Sequence, residues 1–304
     1  MNKIKSYRLA QIVRNRYLYL LMLLPMTYFV LFKYRPMYGI LIAFKDFKVK
    51  KGIMGSPWIG FENFTTFLTD QNFLNIFKNT IALSLLQILI CFPIPILFAL
   101  LVNEIKSKSL KGLVERVSCF PHFISVVVVV SLMSSLVTKD GLINQIVVAL
   151  GGQAKSYMLD AAWFRPLYIL SDIWQETGWG AIIYLAALAG VDPSLYEACD
   201  IDGGGRFVKL RHITLPSILP TIAIMFILRM GSIMTLSFDK VFLMQNPTIY
   251  DKADVIATYV YRKGLQGAQY SYATAVGLFE SVICLLFLSL TNFISKKLSD
   301  NGLF

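Results

Sequence analysis

Long apolar runs separated by polar segments set the pattern of this chain. Six runs carry few charges, and they cover about residues 17–32, 81–102, 117–137, 166–189, 220–238 and 272–294. A helix that crosses the hydrocarbon core of a bilayer needs roughly 20 apolar residues. Within lipid the backbone must satisfy its own hydrogen bonds, which favours helices. The pattern therefore predicts an all-α integral membrane protein with six transmembrane helices.

Two of the runs contain residues that would indicate something else in a water-soluble protein. Pro93 and Pro95 lie inside the second run and predict a kink, which lipid tolerates where neighbouring helices satisfy the freed carbonyls. The β-branched block from Val126 to Val130 in the third run would favour a strand in water. The length of that run and its apolar neighbours favour a membrane helix instead.

Composition supports a bilayer as the solvent. The chain has 304 residues, of which 56% are hydrophobic and 15% charged, whereas about a quarter of residues are charged in an average protein. The net charge of +11 does not indicate nucleic acid, because the basic residues flank the apolar runs and no base-stacking module is visible. Basic residues in such positions set the topology and contact anionic membrane lipid.

The distribution of basic residues predicts the orientation. Lys and Arg are denser in both tails and in loops 103–116 and 191–216 than in the segments 34–74, 138–164 and 239–270. The positive-inside rule then places both termini in the cytoplasm and the other three segments outside. No internal repeat or Gly/Ser linker divides the chain. We expect a basic cytoplasmic tail at residues 1–16 and one transmembrane domain at residues 17–304.

The most informative polar segment lies between the fourth and fifth runs, at residues 192–216. Asp192 can cap a helix whose first residue is Pro193. The three glycines from Gly203 to Gly205 should end that helix. A basic stretch follows and leads to Pro216, where the next apolar run begins. The pattern predicts a helix–turn–helix that lies on a membrane surface.

This segment also carries a family resemblance. Residues 197–216, EACDIDGGGRFVKLRHITLP, resemble the EAA coupling loop of bacterial ABC-importer permeases. Cys199 and Gly204 depart from the pattern, since alanine is usual at both positions. The phrases WIGFENF, Asn79-Thr80 and IWQETGWGAIIYLAALAGVDPSLYEA are similar to maltose-type sugar permeases. KYRPMYGILIAFKDF resembles the oligosaccharide and polysaccharide branch of that group.

The resemblance implies a permease subunit that carries an oligosaccharide or polysaccharide fragment across the bacterial cytoplasmic membrane into the cytoplasm. It implies a second homologous permease in a heterodimer, two ABC ATPase subunits and an extracytoplasmic substrate-binding protein. ATP and Mg would bind to the ATPase, so this chain would hold no cofactor and would not be an enzyme. The positions it assigns to ATPase coupling are Glu197, Ala198, Asp202, Gly203, Ile213, Leu215 and Pro216.

Patterns of a catalytic or metal site are absent from the sequence. The two histidines, His122 and His212, are distant from each other, and HExxH, GxSxG and a phosphate-binding loop are missing. The four cysteines are far apart without CxxC spacing, so neither a metal site nor a disulfide framework is indicated. A membrane enzyme that uses carboxylates alone stays open as an alternative.

Charged residues inside the apolar runs are the first candidates for a substrate path. A charge at the bilayer centre costs about 3 kcal/mol, so each should face protein or water. Pairing between charges, for example of Arg229 with Glu280 or with an acid on a partner subunit, is the structural alternative, and both interpretations stay open. Aromatic rings could also stack on sugar faces. The candidates are Asp172, Glu176, Tyr184, Phe226, Arg229, Tyr272 and Glu280, and Glu280 is the first choice for selectivity.

A second function remains possible on these residues. An ion-coupled secondary transporter of a small polar solute could use the same intramembrane charges. Such transporters need a coupling-ion site and often contain two repeats with broken helices. Because the chain shows no internal repeat, the ABC permease is the preferred hypothesis.

Overall fold

The computed structural model describes residue 11 and residues 14–299, which form helices and connecting turns. This part of the chain contains no β-strand, only one isolated antiparallel bridge between Lys45 and Trp58. The predicted all-α class is therefore confirmed for it. The predicted basic tail at residues 1–16 lies mostly outside the described residues.

The main helices follow one another with short connections. In chain order they are α1 (Arg16–Phe44), α2 (Glu62–Thr69), α3 (Gln71–Asn103), α4 (Lys108–Cys119), α5 (Val126–Val137), α6 (Leu142–Ala149), α7 (Ala161–Ala189), α8 (Pro193–Ile201), α9 (Arg206–Gly231), α10 (Phe238–Met244), α11 (Ile256–Val260) and α12 (Tyr270–Ser299). Shorter helical turns cover Val49–Lys51, Gly52–Gly55, Phe120–Phe123, Tyr157–Leu159, Pro247–Ile249, Tyr250–Ala253 and Tyr261–Gln266.

Five helical runs among the described residues are long and apolar enough to cross a membrane. They are Arg16–Phe44, Gln71–Asn103, Val126–Ala149, Arg206–Gly231 and Tyr270–Lys297. Helices α7 and α8 meet the same standard as a pair that is bent by 67°. The structure thus supports five spans, or six if the bent pair counts as one, which agrees with the predicted membrane architecture.

Three of these runs contain a π-helical turn that ends two residues before a proline. The turns cover Val30–Tyr34, Gln87–Cys91 and Leu210–Thr214, and the prolines are Pro36, Pro93 and Pro216. A proline removes the N–H that would bond the carbonyl four residues earlier. The wider turn shifts the pairing by one residue, as where the Phe92 N–H donates to the Gln87 carbonyl at 3.0 Å. A helix can therefore continue past each proline.

The third span begins later than predicted. The sequence places its start at residue 117, but α4 ends at Cys119 and a 3₁₀ turn that contains Pro121 follows. Helix α5 begins at Val126, where the Ser125 hydroxyl accepts from the Val128 N–H. The valine block is helical as predicted. The segment expected to be a loop before it is largely helix α4, and α6 lies within the expected external loop 138–164.

The fifth span begins earlier than predicted and also ends earlier. Instead of a surface helix followed by a span from residue 220, α9 runs without a break from Arg206 to Gly231. The physical reason is that the π turn accommodates Pro216. Because α9 ends at Gly231, Arg229 lies near the carboxyl end of the helix and not near the middle of a span. A cation there is favoured by the helix dipole.

Contacts group the chain into two compact units. One comprises the described residues up to Phe67 together with Lys263–Leu278, and the other comprises Leu68–Arg262 together with the described residues from Phe279 onward. In the second unit, α7 contacts α3, α4, α9 and α10 and forms the centre of the packing. Gly178 lets α7 pack closely against α4, since a Cβ at this position would lie 2.1 Å from the Ser118 carbonyl oxygen.

Candidate functional site

A cavity of about 640 Å³ lies in the second unit, between α3, α5, α7, α9 and α10. Its volume falls within the range usual for small-molecule sites. Unlike most of the interior of this unit, its wall carries charged and amide side chains. These polar residues are Gln87, Asp172, Gln175, Glu176, Arg229 and Lys240.

Four of these side chains form a continuous hydrogen-bonded chain. Arg229 Nη2 donates to Gln87 Oε1 at 2.7 Å, and Gln87 Nε2 donates to Asp172 Oδ2 at 3.0 Å. The other carboxylate oxygen, Asp172 Oδ1, accepts from Lys240 Nζ at 3.1 Å. The chain links α9, α3, α7 and α10. Gln87 lies in the middle of the hydrogen-bonded chain, and it is the first residue of the π turn that precedes Pro93.

The two cations of this chain are in different electrostatic situations. Lys240 is buried, with 2% of its side chain exposed, and it forms an ion pair with Asp172, which is 17% exposed. Its ammonium also lies 5.3 Å from the ring centroid of Tyr168, within cation–π range. The Arg229 guanidinium makes no ion pair within the described part of the chain and faces a neutral amide. Its charge therefore remains available to a ligand.

A second polar contact involves Glu176, another residue of the cavity wall. His122 Nδ1 lies 2.9 Å from Glu176 Oε2, and the histidine ring stacks on Trp179 with a centroid separation of 4.4 Å. His122 lies in the 3₁₀ turn before α5. Gln175 holds the end of that turn by donating to the Ile124 carbonyl at 3.0 Å.

The structure brings together four of the seven predicted path residues. Asp172, Glu176, Tyr184 and Arg229 all line the cavity. Phe226 lies behind its wall, where its ring packs against Phe92 at 5.4 Å.

The other two candidates are elsewhere. Tyr272 belongs to the first unit, where its ring packs edge-on against Phe67. Glu280 is half-buried on α12 and does not line this cavity. The suggested pair of Arg229 with Glu280 is wrong, because the partner of Arg229 is Gln87.

Sequence reasoning missed three polar residues of the cavity wall, Gln87, Gln175 and Lys240, and also His122, which contacts the wall residue Glu176. Gln87 lacks a charge, and His122 is 54 residues away from Glu176. Lys240 falls in the segment expected to be an external loop, but α10 carries it into the interior. One local signal exists for that helix: Ser237 caps α10, and its hydroxyl accepts from the Lys240 N–H.

A further cavity of about 630 Å³ lies between α5, α6 and α7. Its wall is almost entirely apolar, with Met133, Leu170 and Trp174 among the lining residues and Ser171 as a polar exception. A polar cargo would find few groups there that could replace its hydration. The cavity around Arg229 is therefore the better candidate for a polar ligand.

The segment 192–216 forms a defined corner. The Asp192 carboxylate accepts from the Ser194 N–H at 2.9 Å, as predicted for the cap, and this hydrogen bond lowers the pKa of Asp192. At the other end of α8, the Gly204 N–H donates to the Cys199 carbonyl at 2.8 Å and the Gly203 N–H donates to Asp200. Gly203 has φ +74°, so this is a Schellman ending that favours glycine.

Side-chain contacts fix α8 against the start of α9. Lys209 Nζ lies 2.6 Å from Asp200 Oδ1, and the Tyr196 hydroxyl lies 3.1 Å from Thr214 Oγ1. Of the positions assigned to coupling, all are exposed except Ile213, which is half-buried. Apolar side chains are exposed beside them, with Ile201 87% and Phe207 72% exposed. These contacts hold α8 against α9, and the surface of the corner is a mixture of charged, small and apolar side chains.

Comparison with known proteins identifies the family. Residues 66–300 match the model of the family described as "Binding-protein-dependent transport system inner membrane component". The chain belongs to this family. It is thus a permease component of a transport system that depends on a binding protein, which decides against the ion-coupled alternative.

Relatives of this permease include two proteins of Bacillus subtilis (strain 168). It is 45% identical over 297 residues to the polygalacturonan/rhamnogalacturonan transport system permease protein YteP, covering 97% of this chain and 92% of the relative. It is 44% identical to protein LplB, covering 97% and 93%.

Solved structures of similar permeases agree with this fold. One belongs to a bacterial ABC transporter involved in the import of the acidic polysaccharide alginate, with 40% identity, a TM-score of 0.89 and coverage of 95% of this chain and 98% of that one. Another is the alginate ABC transporter in complex with an alginate pentasaccharide-bound periplasmic protein, with 38% identity, the same TM-score and coverage of 97% and 99%.

Proposed function

We propose that this permease is a membrane subunit of an ATP-driven ABC importer that carries an acidic oligosaccharide into the cytoplasm, along a path that includes the cavity around Arg229. Similar proteins support this substrate class, since YteP is named for polygalacturonan and rhamnogalacturonan and the solved neighbours import alginate. The partners in this proposal are a second homologous permease, two ATPase subunits that bind ATP and Mg, and an extracytoplasmic binding protein.

The observation that carries the substrate class is the charge of Arg229, which makes no ion pair within the described residues, while the other acid of the wall, Glu176, contacts His122. In the hydrogen-bonded chain, Arg229 and Lys240 are opposed by Asp172 alone, and Asp172 is engaged by Lys240. Guanidinium groups bind carboxylates through two parallel hydrogen bonds. A uronate carboxylate would therefore find a fitting partner at Arg229, while the amides of Gln87 and Gln175 can bond sugar hydroxyls.

Reconstitution of the complete transporter in proteoliposomes tests this proposal. ATP-dependent uptake is measured for acidic and neutral oligosaccharides of matched length, in the wild type and in the variants Arg229→Gln and Arg229→Lys. We expect Arg229→Gln to lower uptake of the acidic cargo about tenfold or more, because the ion pair with the carboxylate is lost. Arg229→Lys should retain part of the uptake, because it keeps the charge and loses only the bidentate geometry. Wild-type preference for the neutral cargo, or unchanged acidic uptake in Arg229→Gln, contradicts the proposal.

The corner at residues 192–216 is proposed to be the ATPase contact, on the cytoplasmic side with both termini. Helix α8 offers Glu197 and Ala198 on an exposed surface beside the turn at Asp202 and Gly203. Because α9 continues unbroken for 26 residues, at 1.5 Å per residue it extends about 39 Å. Movement of the corner would therefore reach Arg229 through a single helix, which fits rigid-element switching.

A charge reversal tests this contact. Glu197→Lys should leave the permease folded, because Glu197 is exposed. It should reduce the amount of ATPase subunit that co-purifies with the permease and also the rate of substrate uptake, because a docking charge is removed. Asp140→Lys is the matched control, since it makes the same charge change at an exposed position between α5 and α6. If Glu197→Lys and Asp140→Lys behave alike, α8 is not the site of ATPase contact.

A further inference from the structure

A compact loop in the first unit has features that the transport proposal does not use. Residues 45–61 follow directly after α1, and a buried lysine holds them together. Lys45, with 9% exposure, donates from Nζ to the carbonyl oxygens of Ile53 at 2.8 Å, Met54 at 3.3 Å and Ser56 at 3.3 Å. A lysine whose three N–H groups all bond backbone carbonyls fixes the loop around it.

Other hydrogen bonds close the same loop. The Ser56 hydroxyl donates to the Gly52 carbonyl at 2.6 Å and accepts from the Lys48 N–H at 3.0 Å. The Ile59 N–H donates to the Phe44 carbonyl at 3.0 Å, which ties the end of the loop to the end of α1. Contacts within this chain therefore hold residues 45–61 together without a contribution from another molecule.

This rigid frame presents apolar side chains to the outside. The exposed fractions are 69% for Val49, 77% for Met54, 61% for Trp58 and 68% for Phe61. Trp58 is also held in place, since its ring stacks on Phe44 at 5.6 Å with an interplanar angle of 9°. One exposed apolar side chain needs no explanation, but four of them on one short loop, with Trp58 held in place, indicate a surface that another body covers.

Basic residues accompany these apolar groups. Lys50 and Lys51 are exposed, and neither forms an ion pair within the described residues. Lys48 is paired with Asp46 at 3.0 Å, so its charge is partly compensated. The loop thus combines free positive charge with aromatic and aliphatic side chains in a short stretch.

We propose that residues 48–61 are a binding surface for anionic membrane lipid. Val49, Met54, Trp58 and Phe61 would enter the boundary between headgroups and acyl chains, while Lys50 and Lys51 contact lipid phosphates. Charge complementarity and the position of the loop at the end of an apolar helix favour this partner. Amphipathic membrane-surface elements carry this combination of lysines with Trp, Phe and aliphatic groups.

A photo-crosslink at the centre of the surface tests the proposal. The photoreactive amino acid p-benzoylphenylalanine replaces Trp58 in the complete transporter, which is placed in nanodiscs of equal phosphatidylcholine and phosphatidylglycerol. Illumination and mass spectrometry then identify the crosslinked molecule. We expect a phospholipid adduct in which phosphatidylglycerol exceeds phosphatidylcholine about threefold or more, because each lysine near the surface attracts anionic lipid.

Charge reversal then separates lipid recognition from mere proximity. Lys50→Glu with Lys51→Glu should bring the ratio of the two lipids close to their bulk ratio. The control Lys106→Glu with Lys108→Glu changes two exposed lysines, one just before α4 and one at its first residue, and should leave the ratio unchanged. Crosslinking to the binding protein or to the second permease would overturn the proposal. The proposal would also be overturned if the ratio of the two lipids in the adducts of the transporter without lysine substitutions equalled their ratio in the nanodisc. That measurement does not depend on the folding of the charge-reversal variants.

Discussion

Arg229 and Gln87 are hydrogen-bonded to each other in the cavity wall, with the guanidinium donating to the amide oxygen at 2.7 Å. The amide nitrogen of the same side chain donates to Asp172 at 3.0 Å. Because a guanidinium only donates and a carboxylate only accepts, the Gln87 amide is held in one orientation. Gln87 therefore determines where the charge of Arg229 lies, and it does so without neutralising that charge.

The first prediction concerns the lack of charge on the Gln87 side chain. Gln87→Glu keeps the size of the side chain but places a carboxylate against Arg229 and opposite Asp172. We expect it to pair with the guanidinium and to lower uptake of an acidic oligosaccharide about tenfold, as the charge available to the cargo is lost. The measurement is ATP-dependent uptake in proteoliposomes as a function of cargo concentration.

A second substitution at the same position distinguishes charge from geometry. Gln87→Met removes both hydrogen bonds but places no opposite charge beside Arg229, so it should retain more acidic uptake than Gln87→Glu. If the two variants lose uptake equally while their thermal unfolding matches the wild type, the charge of Arg229 is not what the cargo senses.

The second prediction concerns the buried ion pair. Asp172→Asn leaves the Lys240 ammonium buried without a counter-charge, which typically costs about 3–5 kcal/mol. The double variant Asp172→Asn with Lys240→Met removes both charges and should recover much of that loss. Thermal unfolding of the purified permease in detergent measures both. Additive effects of Asp172→Asn and Lys240→Met would show that the pair does not contribute as a unit.

The sequence allowed the membrane architecture to be predicted, because apolar length is a property of each run alone. Helix ends were harder to predict. The start of α5 depends on a 3₁₀ turn around Pro121 and a cap at Ser125, and the length of α9 depends on a π turn before Pro216. Such local adjustments of the backbone are decided by packing, which a periodic pattern does not contain.

The site was predictable where a charge lay inside an apolar run, as for Asp172, Glu176 and Arg229. Their partners were not predictable, since Gln87 is neutral and Lys240 is separated from Asp172 by 68 positions. Aromatic residues were predicted with less success, because a ring that could stack on a sugar can equally pack against other side chains. Tyr272 is such a ring.

The third prediction concerns the end of α8. Gly203 has φ +74°, so Gly203→Ala should destabilise the turn by about 1 kcal/mol. Gly205→Ala is the matched control, because Gly205 has φ −77° and an added Cβ would meet no atom within 4 Å. Hydrogen exchange at the amides of positions 203 and 204, corrected for intrinsic rates, measures the turn directly. We expect faster exchange in Gly203→Ala than in Gly205→Ala, and equal rates would contradict the Schellman assignment.

The fourth prediction concerns the pH dependence of the α8 cap. The pKa of Asp192 is lowered in the folded protein because the carboxylate accepts from the Ser194 N–H. A carboxyl with a lowered folded pKa stabilises the cap above its unfolded pKa of about 3.9, and that contribution is lost as the pH falls through the folded value. Protection of the Ser194 amide against hydrogen exchange, corrected for intrinsic rates, should therefore decrease below about pH 4.

Substitution of the cap isolates the carboxyl as the cause. Asp192→Asn keeps an acceptor oxygen that does not titrate, so protection of the Ser194 amide should persist at low pH, at a level near that of the wild type at neutral pH. Asp192→Ala should lose protection at every pH. If Asp192→Asn shows the same decrease below pH 4 as the wild type, another acid controls the opening of α8, and the capping role of Asp192 has to be abandoned.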